Sequence, residues 1–181
     1  SLSIARQRAA HLRLPLDVPR RLVALRLSAV SVLFDSHAPE AAERLLQHTR
    51  QAVLDHLDAW NRSLPDTLPV IVQGDLFILL LPEIDAVRSE LARLYRELLP
   101  TLGDMSLFMG LANPVEDCGQ YRQALNEARQ ALDVAEHLRP ASGLCDFREL
   151  GVLRLLQAVT DRSVIDSFVK LAADLAPTLP A

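Results

Sequence analysis

The sequence predicts an α/β (α+β) fold: four strands and two crossover helices in the order βαββαβ, with extra helices at both ends. Three observations predict it. Aliphatic and β-branched runs at 22–34, 68–72, 76–81 and 105–112 are short and bounded by turn residues. The segments between the first and second runs, and between the third and fourth, carry apolar residues at three- and four-residue spacing. The second and third runs are separated only by Gln73-Gly74-Asp75, a hairpin connection in which Gly and Asp tolerate positive φ.

Residues 2–14 read as a lead-in helix ended by Pro15. The run Leu22 to Phe34 is strand one, with Val23, Leu25 and Leu27 alternating toward a core. Pro39 opens a helix, since a first-turn proline lacks only an N–H that has no helical partner, and Glu40 and Glu43 suit the positive end of its dipole. Its stripe of Ala42, Leu45, Leu46, Thr49, Val53, Leu57 and Trp60 ends at Asn61, Ser63 and Pro65. The third strand, Leu76 to Leu81, is apolar at every position, which suits a strand covered on both faces. Ile84, Val87, Leu91, Leu94, Tyr95 and Leu98 mark the second crossover helix. Met105 to Ala112 is strand four, closed by Asn113-Pro114.

Tyr121, Leu125, Ala128, Leu132 and Ala135 then form a seam whose alanines let a helix approach the sheet, with Arg122, Asn126, Arg129, Asp133 and Glu136 facing away. A short strand at 144–147 and helices at 150–159 and 163–175 complete the chain. The split βαβ order puts strands one and three in the centre and both crossover helices on one face, a ferredoxin-like outline. The second face then needs the terminal helices or a second subunit.

Composition sets the remaining bounds. Half of the 181 residues are hydrophobic and 23% are charged, enough for one core and too apolar for disorder. No apolar run approaches the roughly 20 residues needed to span a bilayer. Cys118 and Cys145 match no metal or redox spacing, so a reducing, cytoplasmic setting is expected. The arginines from Arg6 to Arg26 read as a solvated basic surface, and a net charge of −4 argues against DNA binding by this segment itself. The opening Ser1-Leu2-Ser3-Ile4 lacks an initiator Met and an apolar signal core, and reads as a cut end of a larger protein.

No phosphate-loop, dinucleotide, nucleophile-elbow or zinc motif occurs. The five histidines are scattered, and Asp55 and Asp58 read as a solvated helix face. No catalytic residue, metal ligand or cofactor is assigned from the residues.

The hairpin Gln73-Gly74-Asp75-Leu76-Phe77 nevertheless resembles the signature hairpin of GGDEF domains. In that family the hairpin sits on a ferredoxin-like core, and its acids, with one from strand one, bind metal and nucleotide for cyclic dinucleotide synthesis. Carried over by position, Gln73 replaces the first glycine, Gly74 and Asp75 are kept, Leu76 replaces the second acid and Phe77 is kept. Strand one holds no acid between Leu22 and Phe34, and Arg26 or Ser28 stands where the family keeps a metal-binding Asp. Asp75 alone cannot hold divalent ions, which need several oxygen ligands, so the resemblance implies a noncatalytic member.

The stretches DVPRRLVALR, VQGDLFILLLP, FMGLANP, YRQALNEARQALDVA and GLCDFRELGVLRLL, in this order over about residues 5 to 175, resemble the GGDEF-like central domain of PucR- and CdaR-type bacterial transcription regulators. The resemblance implies a lead-in helix and linker over 1–20, a GGDEF-like domain over 21–149, and helices over 150–181 leading toward a helix-turn-helix domain outside this chain. It implies a coupling or dimerisation module flanked by a sensor and a DNA reader, meeting DNA only through the other domain. A homodimer is expected because the apolar third strand has a second face to cover and readers of paired half-sites are usually symmetric, with the terminal helices contributing more of the contact than the crossover helices. The alternative is a nucleotide or metabolite sensor with a vestigial ligand-binding pocket at Gln73, Gly74, Asp75 and Arg26.

Overall fold

The computed structural model describes residues 18–28, 30–84, 86–138 and 143–151. In chain order the elements are β1 (Arg20–Ser28), α1 (Val30–Ser36), α2 (Pro39–Arg62), β2 (Ile71–Gln73), β3 (Leu76–Pro82), α3 (Val87–Leu102), β4 (Ser106–Val115), a 3₁₀ turn (Cys118–Gln120), α4 (Tyr121–Leu138) and β5 (Leu144–Asp146). One five-stranded sheet has the order β2-β3-β1-β4-β5, antiparallel except for the β4–β5 pair. The βαββαβ core is therefore present, with β5 added at one edge. The chain divides into two compact units, Ser1–Phe147 and Arg148–Ala181; of the second, residues 148–151 are described and are helical. The lead-in helix expected at 2–14 and most of the closing helices lie outside the described residues. Among the described residues no helix is long and apolar enough to cross a membrane.

Alternation on the strands builds the main core. Val23, Leu25 and Leu27 of β1, Phe77, Leu79 and Leu81 of β3, and Leu107, Met109 and Leu111 of β4 share one face. Against them pack Val53, Leu57 and Trp60 of α2 and Val87, Leu91, Leu94, Leu98 and Leu102 of α3. Both crossover helices thus lie on one face, as the order βαββαβ requires. On α2 the expected stripe holds except at Leu45, which is exposed.

The second face is covered within the chain by an element that the sequence reading did not nominate for it. Helix α4 lies across β4 and β1, burying Ala124, Ala128, Ala131, Leu132 and Ala135. A side chain at Gly110 of β4 would run into the α4 backbone at Ala128 and Leu132, so this glycine sets the close approach of helix to sheet. Leu125, expected in the seam, is only half-buried, and Ala124 takes its place. A second subunit is therefore not required to cover this face over β1 and β4.

Three strand boundaries differ from the sequence expectation. Strand one ends at Ser28 and a helix follows, because the partners run out: Arg26 faces Leu76, the first residue of β3, and Ser28 faces Ser106, the first of β4. Beyond that point the backbone has no strand to pair with, and the helix satisfies it within the segment. Leu68 to Val70 stay outside β2, where Pro69 has no N–H to donate and the Leu68 carbonyl accepts Asn61 Nδ2 at 2.5 Å. Strand four runs through Asn113-Pro114 to Val115 instead of closing there, with one extra residue on β4 between the pairs Arg21↔Pro114 and Val23↔Leu111.

Candidate functional site

Arg26, on the second face at the end of β1, is the centre of a polar cluster. Its Nη1 donates to Asp133 Oδ1 and to Glu136 Oε2, both at 3.2 Å. Its Nε lies 2.8 Å from Asp75 Oδ2 without pointing its N–H along that line, so this contact is Coulombic and not an aligned hydrogen bond. Burial alone pulls the Arg26 guanidinium down, but Asp75, Asp133 and Glu136 together outweigh it and hold the group above its ordinary value. Ser28, two residues on and on the same face, donates to Glu136 Oε1.

The β2–β3 turn brings the remaining groups. Gly74 holds φ +62, the left-handed region that lets a two-residue link join Gln73 to its partner Leu76. Its carbonyl accepts Arg50 Nη2 at 2.6 Å, and the Arg50 guanidinium stands 5.8 Å from the Phe77 ring centre. Gln73 Oε1 accepts Arg129 Nη2 at 3.2 Å. Leu76, where the resemblance would put an acid, is 3% exposed and belongs to the core.

The four residues singled out from sequence, Gln73, Gly74, Asp75 and Arg26, therefore come together at one end of the sheet. The sequence reading missed their partners on α4. Arg129, Asp133 and Glu136 were assigned to a face pointing away, yet each contacts β1 or the hairpin. Their spacing of four and three residues marks one helical stripe, the signal by which they could have been found.

A second polar cluster corrects the reading of the N-terminal arginines as solvated. Arg20 is fully buried and Arg21 is 4% exposed. Arg20 donates to the carbonyls of Leu80 at 3.1 Å and Asp66 at 2.7 Å, and burial holds its guanidinium below the ordinary value. Arg21 reaches the Ala112 carbonyl through Nε at 2.9 Å and Nη2 at 2.7 Å, both oxygens of Asp146 at 3.1 Å, and Glu83 at 3.7 Å. It thus closes the β4 bulge and ties β1 to β5. Among the described residues no group of three or more His, Cys, Asp and Glu is arranged to hold a metal ion.

Comparison with known proteins follows this geometry. The family model described as "GGDEF-like domain" matches residues 1–134. The chain is similar to the crystal structure of the GGDEF domain of DgcB from Caulobacter crescentus in complex with c-di-GMP, at 14% identity and a TM-score of 0.56, covering 81% of this chain and 86% of that one. The coiled coil and GGDEF domain of the same protein gives 14% identity and a TM-score of 0.55, over 80% and 78% of the two chains. At such identities the likeness concerns the fold. No curated protein matches the chain.

Proposed function

For a chain that belongs to the GGDEF-like domain family, we propose a noncatalytic role: a regulatory and dimerisation domain of a PucR- or CdaR-type bacterial transcription regulator, coupling an upstream sensor to a downstream DNA reader. The observation that carries this reading is the ion pair of Arg26 with Asp75. A cyclase of this fold needs a metal between acids of strand one and the hairpin. Here a tethered guanidinium sits among Asp75, Asp133 and Glu136, and the second hairpin acid is a buried leucine. A divalent ion would have to displace a covalently anchored cation and would find one hairpin carboxylate, whereas such ions take six or more oxygen ligands. These residues do not fit the metal, because a cation already pairs with all three carboxylates.

The experiment is incubation of the purified protein with GTP and Mg²⁺ or Mn²⁺. No cyclic dinucleotide is expected; turnover that Asp75→Ala abolishes would overturn the reading. The homodimer belongs to the same proposal, on the ground that readers of paired DNA half-sites are usually symmetric.

A second reading has its own observation. Three guanidinium groups, those of Arg26, Arg50 and Arg129, converge on the turn Gln73 to Asp75. A phosphate-bearing ligand exchanging with Asp75 for Arg26 would make the hairpin a sensor. Thermal-shift measurements with nucleotides, repeated on Arg26→Met, separate the two readings: stabilisation lost in the variant favours the sensor.

A further inference from the structure

A cavity of about 110 Å³ opens beside the β4 bulge, where Asn113 and Pro114 of β4 meet Gln120 of the 3₁₀ turn and Gln123 and Glu127 of α4. Glu127 is 7% exposed. Its carboxylate accepts the Asn113 N–H at 3.1 Å through Oε2 and Gln123 Nε2 at 2.9 Å through Oε1. Both donors are neutral, and among the described residues Glu127 forms no ion pair. A buried carboxylate is costly without an opposite charge, and two neutral bonds leave about half of its lone-pair sites unused. Asn113 and Gln123 line the same cavity and bring side-chain amides, each with one acceptor oxygen, to the neighbourhood of the carboxylate. The lining therefore offers one negative charge beside side-chain amides. Among the described residues it lacks the additional His, Cys or acidic ligands that a metal ion needs.

We propose that this cavity binds the ammonium end of a small organic amine. Three N–H donors on one positive centre match a carboxylate with unused lone pairs among side-chain amides, whose oxygens can accept the remaining N–H groups. An engineered apolar cavity of about 150 Å³ holds benzene, so an occupant here has at most about six heavy atoms. The inference rests on Glu127 and its surroundings and stands independently of the hairpin.

The test is a ¹H–¹⁵N NMR titration with methylammonium and 1,4-diaminobutane, against sodium and tetramethylammonium at equal ionic strength. The expected result is saturable shifts of the Asn113 backbone amide and the Gln120 and Gln123 side-chain amides, with Kd in about the millimolar range for ligands this small. Tetramethylammonium, which has charge but no N–H, should give none. Glu127→Gln should remove the shifts, while Glu40→Gln on the exposed start of α2 should keep them. If Glu127→Gln does not fold, Gln123→Leu keeps the carboxylate and should weaken binding about fivefold. Equal shifts with tetramethylammonium, shifts that survive both variants at Glu127 and Gln123, or none up to about 50 mM amine would overturn the proposal.

Discussion

Replacing Gly110 by alanine tests the packing of α4 on the sheet, the contact that closes the second face. An added Cβ would fall closer than 2.5 Å to the Ala128 carbonyl oxygen and the Leu132 backbone nitrogen, where ordinary contact begins at 3.4 Å. The helix must withdraw by 3.4 − 2.5, or about 0.9 Å at least. A gap of that size forfeits between a quarter and a half of the attractive contact. The contact buries Leu132, worth about 2 kcal/mol, and four alanine methyls, Ala124, Ala128, Ala131 and Ala135, at about 0.8 kcal/mol each, roughly 5 kcal/mol together. The expected loss is therefore about 2 kcal/mol, within the usual range for overpacking. Urea unfolding followed by circular dichroism should show it as a midpoint lowered by about 1 M. Leu132→Ala should not rescue the variant, because the nearest atoms are backbone. Gly103 has open space around a missing Cβ, but at φ +58 and ψ −124 it lies in a region that only glycine readily adopts, so Gly103→Ala should cost backbone strain alone, about 2 kcal/mol, with no clash. A Gly110→Ala protein within about 0.5 kcal/mol of the parent would show that α4 does not depend on this close approach.

Arg21→Met, which strips the guanidinium from a pair whose side chains are 5% and 9% exposed, should destabilise by about 3 kcal/mol in the same assay. Arg26→Met should cost under about 1 kcal/mol, since Asp75 and Asp133 are mostly exposed; equal effects at the two arginines would contradict the assigned burial. Burial raises the Tyr121 hydroxyl above its usual value of 10.0, which nearby Arg20 only partly offsets. The folded state therefore holds the phenolic proton more tightly than the unfolded state, so this contribution is whole below about pH 10 and falls as pH rises further. Tyr121→Phe should flatten that alkaline fall, and absorbance titration should show one late phenol that the variant lacks. Light scattering across a concentration series should give a dimer mass; a monomer at about 100 μM would count against the self-association proposal.

The βαββαβ order of the core and the faces of its crossover helices were legible in the residues, whereas the short helix α1 was not. Periods of two and of three to four residues depend only on local chain geometry, and the hairpin at Gly74 and Asp75 is set by residues adjacent in the chain. Composition also marked Leu76 as a core residue in a place where the family keeps an acid. Where the polar side chains end depends on contacts between distant parts of the chain. Arg20 and Arg21 carry no sequence mark that sets them apart from the other arginines of the N-terminal stretch, yet their acceptors, Asp66, Leu80, Ala112 and Asp146, come from positions 46 to 125 residues away. Helix α4 carries two polar stripes, one to solvent and one, Arg129, Asp133 and Glu136, to the end of β1 and the hairpin. Helical period tells which residues share a stripe but not which stripe meets a partner. The end of β1 was likewise set elsewhere, by where β3 and β4 begin, because a strand extends only as far as neighbours can take its hydrogen bonds.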